Sequence, residues 1–178
     1  MAHERSTEFT HFENPDQKRY DWNYYNALSP HIKGDVLDIG AGAGMFAKEY
    51  AKKEEVNSII CIDKYTEELP GIDKIEKVNW VCPEPLPVTN VFDTVVSTEF
   101  IEHITQEQFE PLLEQIKSVM HEDSLFVGST PNKVSPTTNP YHLYEYTLSE
   151  LKQILQQHFS QVEIWDCGQY CTVWVCKK

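Results

Sequence analysis

Two groups of residues in this chain have types and spacings that can do chemistry. The first is Glu99-x-x-Glu102-His103. Glu99 and Glu102 stand three apart, so one helical turn would bring both carboxylates to the same side. His103 adjoins them, and a later loop supplies His142. Two carboxylates and two imidazoles form an oxygen and nitrogen set suited to Mg²⁺ or Mn²⁺. Without a metal, His103 or His142 is the expected general base, with Glu102 beside it, because imidazole titrates near neutral pH. The second group is Asp38-x-Gly40-x-Gly42-x-Gly44. Glycines leave no Cβ between backbone and ligand and tolerate unusual φ/ψ values.

The glycines follow the apolar run Val36-Leu37-Asp38-Ile39 and precede Met45-Phe46-Ala47-Lys48-Glu49-Tyr50-Ala51. That order reads as strand, tight turn and helix, a place where a ligand presses against backbone. A dinucleotide fingerprint needs Gly-x-Gly-x-x-Gly. Met45 occupies the third glycine position, which argues against a nucleotide-dependent oxidoreductase. Further on, Asn57 to Ile62 is a buried-strand run ending at Asp63. A carboxylate at that strand tip can accept hydrogen bonds from both hydroxyls of a ribose.

On the Asp38–Gly44 segment the chain resembles the class I S-adenosylmethionine-dependent methyltransferases, over roughly residues 34 to 178. The resemblance implies that Gly40, Ala41, Gly42 and Gly44 wrap the methionine part of S-adenosyl-L-methionine. Asp38 would orient the loop or meet the methionine amino group. Asp63, with Lys64 next to it, would hold the ribose. Ser97, Thr98 and Glu99 would flank the methionine end. An acid commonly meets the adenine amino group after the third strand, but here Cys82 stands in that place. Backbone groups of Cys82 or Pro83, or the Glu84 carboxylate, are the substitutes on offer.

The elements that must position these groups can be read in order. Strands are expected at 36–39, 57–62, 78–82, 92–97 and 124–129, then a closing pair at 162–165 and 170–175. Thr105 and Gln108 form a capping box ahead of an apolar helix face at Phe109, Leu112, Leu113 and Ile116. Thr147 and Glu150 form a second, ahead of Leu148, Leu151 and Leu155. The fold class expected is α/β: a Rossmann-like, doubly wound, mostly parallel seven-stranded sheet with a C-terminal antiparallel hairpin. Residues 1–178 are expected to form one domain. Within it, 1–33 is an N-terminal segment that packs its aromatics on the sheet edge or covers the cofactor. Tyr20 and Tyr24 would share a helix face there. The acceptor pocket is expected between the N-terminal aromatics, Glu99, Glu102, His103, His142 and Tyr144.

Composition bounds the partners. The net charge of −13 argues against broad nucleic-acid binding. No apolar run approaches the ~20 residues of a membrane span. The N-terminus lacks a signal-peptide pattern, and the five cysteines suit reduced thiols, so a cytoplasmic setting is expected. Cys61 reads as core, and Cys171 and Cys176 should point to opposite sheet faces.

The Glu-His group also resembles the small-RNA 3′-terminal 2′-O-methyltransferases, in which a metal holds the terminal hydroxyls. A Glu-His pair is equally widespread in small-molecule and sugar O-methyltransferases. The phrase from Asn139 to Thr147 resembles that of bacterial small-molecule and glycan enzymes. The expectation is therefore transfer of a methyl group to a small-molecule or glycan hydroxyl, with N-methylation left open. The alternatives are the metal-dependent RNA enzyme and a catalytically silent partner subunit that binds cofactor. An oligomer or a partner subunit is compatible with each of these.

Overall fold

A computed structural model describes residues 23–63, 74–81, 90–133 and 139–178. Seven strands make one sheet in the order β3-β2-β1-β4-β5-β7-β6. They are β1 (Gly34–Ile39), β2 (Val56–Ile62), β3 (Val78–Val81), β4 (Phe92–Thr98), β5 (Met120–Pro131), β6 (Gln161–Asp166) and β7 (Cys171–Lys177). The first five pair in parallel, and β7 pairs antiparallel with both β5 and β6. This is the Rossmann-like layout read from the sequence, with its closing hairpin at one edge. The order reverses between β1 and β4, which places a crevice outside the carboxyl ends of those strands.

Alternation along the strands divides the core between the two faces. Leu37, Ile39, Val95, Phe126 and Trp174 pack on one side. There they meet α2 (Gln106–Ser118) and α3 (Leu148–His158) through Phe109, Leu113, Leu151 and Leu155. Val36, Cys61, Val96, Val127 and Val173 pack on the other, with Ala47 and Tyr50 of α1 (Met45–Tyr50). A period of two on strands buried on both faces explains why the sequence reads as continuous apolar runs. Cys171 and Cys176 fall on opposite faces, and Cys61 is fully buried. Both capping boxes form: Gln108 caps back onto Thr105, and Glu150 onto Thr147.

One element differs from the sequence reading. β5 extends to twelve residues rather than ending at Ser129. Thr130 and Pro131 continue it because they pair with Thr172 and Cys171 of β7. Proline is tolerated as the final residue, where a missing N–H breaks no ladder. Residues 23–28 are helical, and Tyr24 joins the buried cluster that holds Val36, Val96 and Val173 of the sheet. Tyr24 is buried and meets Phe46 edge-on at 5.3 Å. Tyr25 stacks on Phe46 and on Tyr50, at 5.6 Å and 5.3 Å. Tyr20, Lys64, Cys82, Pro83 and Glu84 lie outside the described residues.

Candidate functional site

The glycine turn is built from backbone. Gly40, Gly42 and Gly44 all take left-handed φ values, of 73°, 58° and 82°. The N–H groups of Gly40 and Ala41 both donate to the Ile62 carbonyl, at 2.8 Å and 3.2 Å. Gly44 N–H donates to the Ala41 carbonyl at 2.8 Å. These bonds strap the turn to the end of β2. The next residue completes the strap, since Gly42 N–H donates to Asp63 Oδ2 at 2.9 Å. Asp63 thus meets the glycine turn directly, a contact the sequence reading did not foresee.

Asp38 lies beneath the turn, only 2% exposed. Its Oδ1 has no hydrogen-bond partner among the described residues, and the buried Tyr50 hydroxyl is in the same position. Burial, and next the Asp63 charge, push the Asp38 carboxyl up to about 7. Burial, then Asp38, also holds the Tyr50 proton more tightly than usual. An unpaired oxygen in such a place costs free energy unless a donor or cation meets it.

The second half of the site hangs from the ends of β4 and β5. Ser97 is fully buried with its Oγ unpaired among the described residues. Thr98 closes β4, and Glu99 follows with φ 50°, unusual for a non-glycine. Ser129 holds that conformation twice. Its carbonyl accepts from Glu99 N–H at 2.9 Å, and its hydroxyl donates to Glu99 Oε1 at 2.8 Å. Glu99 therefore precedes, rather than joins, the short 3₁₀ turn Ile101–His103. The shared helical turn expected for Glu99 and Glu102 is not formed, because the left-handed residue breaks it.

Phe100 links the two halves. It packs against Gly40 so closely that a Cβ there would sit 2.3 Å from its ring. Glu102 is 1% exposed, and its Oε2 accepts from the Thr130 hydroxyl at 2.9 Å. Burial, and then the nearby Glu99 carboxylate, raise the Glu102 carboxyl well above its usual range. Its backbone carbonyl accepts from Leu143 N–H and Tyr144 N–H, at 2.7 Å and 3.2 Å. Those bonds fasten the 139–146 loop onto the 3₁₀ turn.

His103 Nδ1 donates to the Tyr141 carbonyl at 3.1 Å, and its Nε2 faces Glu102 Oε1 at 3.9 Å. The His142 ring stands edge-on to that of His103, with centroids 5.0 Å apart. Ligand atoms of Glu102, His103 and His142 lie within 4.8 Å of one another. Three of the four residues considered for a metal thus meet, and Glu99 stays with Ser129. The ring nitrogens of His142 face Glu145 Oε1 at 2.6 Å and Asn139 Nδ2 at 3.0 Å. Tyr144 turns its hydroxyl to Glu150 at 3.0 Å. Thr130, Asn139 and Glu145 fall in the 130–146 stretch that the sequence sets at the cleft, but neither they nor Ser129 had a role assigned from the sequence. The one available signal was position, at a strand end or one helical turn from His142.

Residues 11–167 match the methyltransferase domain family. The chain belongs to that family, and its fold is that of the class I S-adenosylmethionine-dependent methyltransferases. Among solved structures it is similar to DhpI in complex with SAH, at 14% identity, with 94% of this chain and 89% of that one covered and a TM-score of 0.80. It is also similar to the N-methyltransferase NodS from Bradyrhizobium japonicum WM9 with S-adenosyl-L-homocysteine. There the identity is 16%, the coverage 98% and 93%, and the TM-score 0.76. A third similar structure is the 1,6-didemethyltoxoflavin-N1-methyltransferase of Burkholderia thailandensis, at 20% identity, 95% and 84% coverage and a TM-score of 0.71. No curated protein matches. No helix among the described residues is long and apolar enough to cross a membrane.

Proposed function

We propose that this methyltransferase transfers a methyl group from S-adenosyl-L-methionine to a hydroxyl of a small molecule or glycan. The observation that carries the reading is Phe100 seated on Gly40. Phe100 leads directly into the 3₁₀ turn that carries Glu102 and His103. The cofactor supplies an electrophilic methyl group on a sulfonium; the chain must align an acceptor with it and remove a proton. Gly40, Ala41, Gly42 and Gly44 would approach the cofactor, and Asp63 would accept from the ribose hydroxyls. Ser97, Thr98 and Glu99 would flank the methionine end. The residues fit: the unpaired Asp38 oxygen is the kind of buried acceptor that an amino group satisfies. His103, oriented by the Tyr141 carbonyl, would take the acceptor proton. Glu102, buried beside it, would stabilise the imidazolium that results.

A second reading is favoured by the cluster itself. Glu102 and His103 offer an oxygen and a nitrogen ligand, each held by a further bond, and His142 would complete the set on giving up its Asn139 bond at Nε2. Mg²⁺ or Mn²⁺ there would lower the pKa of a hydroxyl bound to it. That would suit terminal ribose methylation of RNA as well as a vicinal diol in a small molecule.

Calorimetric titration of S-adenosylhomocysteine into metal-stripped protein tests the cofactor reading. One site per chain is expected, lost or strongly weakened in Asp63→Ala. A screen of hydroxylated acceptors with labelled S-adenosylmethionine, with and without Mn²⁺, then separates the two readings. Absence of binding heat at several temperatures would overturn the assignment. Binding without transfer to any acceptor would favour a silent subunit.

A further inference from the structure

His142 is locked in place through both ring nitrogens, and the hydrogen-bond directions fix its proton. Tyr141 N–H donates to Asn139 Oδ1 at 3.0 Å, which identifies the carbonyl end of that amide. The other end, Nδ2, meets His142 Nε2 at 3.0 Å. An amide NH₂ can only donate, so Nε2 is the accepting nitrogen. The ring proton therefore sits on Nδ1, where Glu145 Oε1 accepts it at 2.6 Å. Both side chains are only 9% exposed, so water competes little for this bond.

We propose that Glu145 and Asn139 are positioning residues that hold His142 as the neutral Nδ1–H tautomer. His142 then forms a fixed wall for its neighbour. Its ring stands edge-on to His103 at an interplanar angle of 82°, so a rotation or a change of tautomer would disturb the His103 ring. The two histidines thus divide the work. His103, bonded through Nδ1 to a backbone carbonyl, handles the acceptor proton, and His142 keeps it in register. A buried carboxylate on the far nitrogen of a histidine fixes ring orientation and tautomer in just this manner. The inference rests on reading this cluster as the acceptor site.

Long-range ¹H–¹⁵N correlation spectra of ¹⁵N-histidine-labelled protein test it directly. They are recorded at pH 8, where an ordinary imidazole is neutral. Comparison with His142→Gln assigns the His142 signals. The wild-type protein should show a protonated Nδ1 and an accepting Nε2. Glu145→Ala should move His142 to the Nε2–H form or to an average of both, and the His103 signals should shift with it. Glu145→Gln keeps an acceptor oxygen and should retain the Nδ1–H form. Affinity for S-adenosylhomocysteine should stay within about twofold in both variants. A wild-type Nε2–H tautomer, or an unchanged tautomer in Glu145→Ala, would overturn the proposal. If Glu145→Ala does not fold, the wild-type and Gln spectra decide: loss of the Nδ1–H form in either counts against it. Failure of the wild-type protein to bind S-adenosylhomocysteine would sink the functional reading while leaving the tautomer result standing.

Discussion

The two halves of the site are made in different ways. The glycine half is backbone: three left-handed residues, two N–H groups on one carbonyl, and a carboxylate on the Gly42 N–H. Its parts come from two neighbouring strand ends. The half proposed to meet the acceptor is side chain. Glu99, Glu102 and His103 depend on Ser129, Thr130 and Tyr141, and His142 on Asn139 and Glu145; these partners come from β5 and the loop after it. A backbone cradle binds whatever has the cofactor's shape, because every residue has the same amide. A side-chain cluster can be changed one group at a time without disturbing the sheet. The comparison predicts that variants in the first half change folding, cofactor affinity or both, and that variants in the second change turnover with cofactor affinity kept.

The largest expected effect breaks the second half. His103→Ala should lower turnover by about 10²- to 10⁴-fold, the usual contribution of a positioned proton acceptor. S-adenosylhomocysteine affinity should stay within about twofold by calorimetry. A matching fall in cofactor affinity would show that the halves are not separable.

The next effect lies under the glycine turn. The Asp38 carboxyl is raised from 3.8 to about 7, chiefly by burial and then by Asp63. Between those values the folded chain binds more protons than the unfolded one. Stability of the cofactor-free protein should therefore fall as pH rises from about 4 through about 7, with the whole penalty present above that. The shift is worth at most roughly 4 kcal/mol. Glu102 is raised too and contributes a slope of the same sign, so the comparison with Asp38→Asn isolates one group. Urea midpoints from pH 5 to pH 8 should fall less steeply in Asp38→Asn than in the wild type. Equal slopes would contradict the assignment.

Within the turn, two glycines should separate packing from binding. A Cβ on Gly40 meets Phe100, on top of a φ of 73°, so Gly40→Ala should lose about 3 kcal/mol. Gly42 has φ 58° and, among the described residues, a Cβ there would meet nothing within 4 Å, so Gly42→Ala should lose only about 1 kcal/mol of conformational strain. Its new methyl group instead stands in the open space over the turn, and cofactor affinity should suffer more than stability. Denaturant titration and calorimetry on the same two variants check this. Equal losses of stability would remove the distinction.

These contrasts also explain what was legible in the sequence. Asp38 to Gly44 could be read because a strand, a turn and a helix lie consecutively, and glycine spacing reports backbone conformation directly. The helix starts were legible for the same reason, since a capping box spans four residues. Thr130 was not, because its place at the end of β5 depends on pairing with β7, forty residues later in the chain. Glu99 looked like part of a helical turn on spacing alone. Ser129 decides otherwise, and no local rule connects residues 99 and 129. Glu145 follows His142 by three residues, yet the pair forms only because Leu143 and Tyr144 are pinned to the Glu102 carbonyl. Local chemistry is written in local sequence. Chemistry assembled across a sheet waits for the sheet.

A pair of variants tests whether Asp63 serves the turn, the ribose, or both. Asp63→Ala removes the acceptor for Gly42 N–H and any ribose contact, and should weaken S-adenosylhomocysteine by about 10- to 100-fold, the range of a lost charge-assisted hydrogen bond. Asp63→Asn retains one carbonyl oxygen for Gly42 N–H but cannot accept through both side-chain atoms. The turn should survive, and affinity should fall by roughly tenfold or less. The same variant removes the charge that helps raise Asp38. Because burial is the larger cause, the Asp38 carboxyl should move only part of the way back toward its ordinary value. The pH at which stability falls should drop with it, while the slope persists. An Asp63→Asn protein with wild-type affinity would mean that the carboxylate serves the glycine turn alone, and that the ribose is held by other groups.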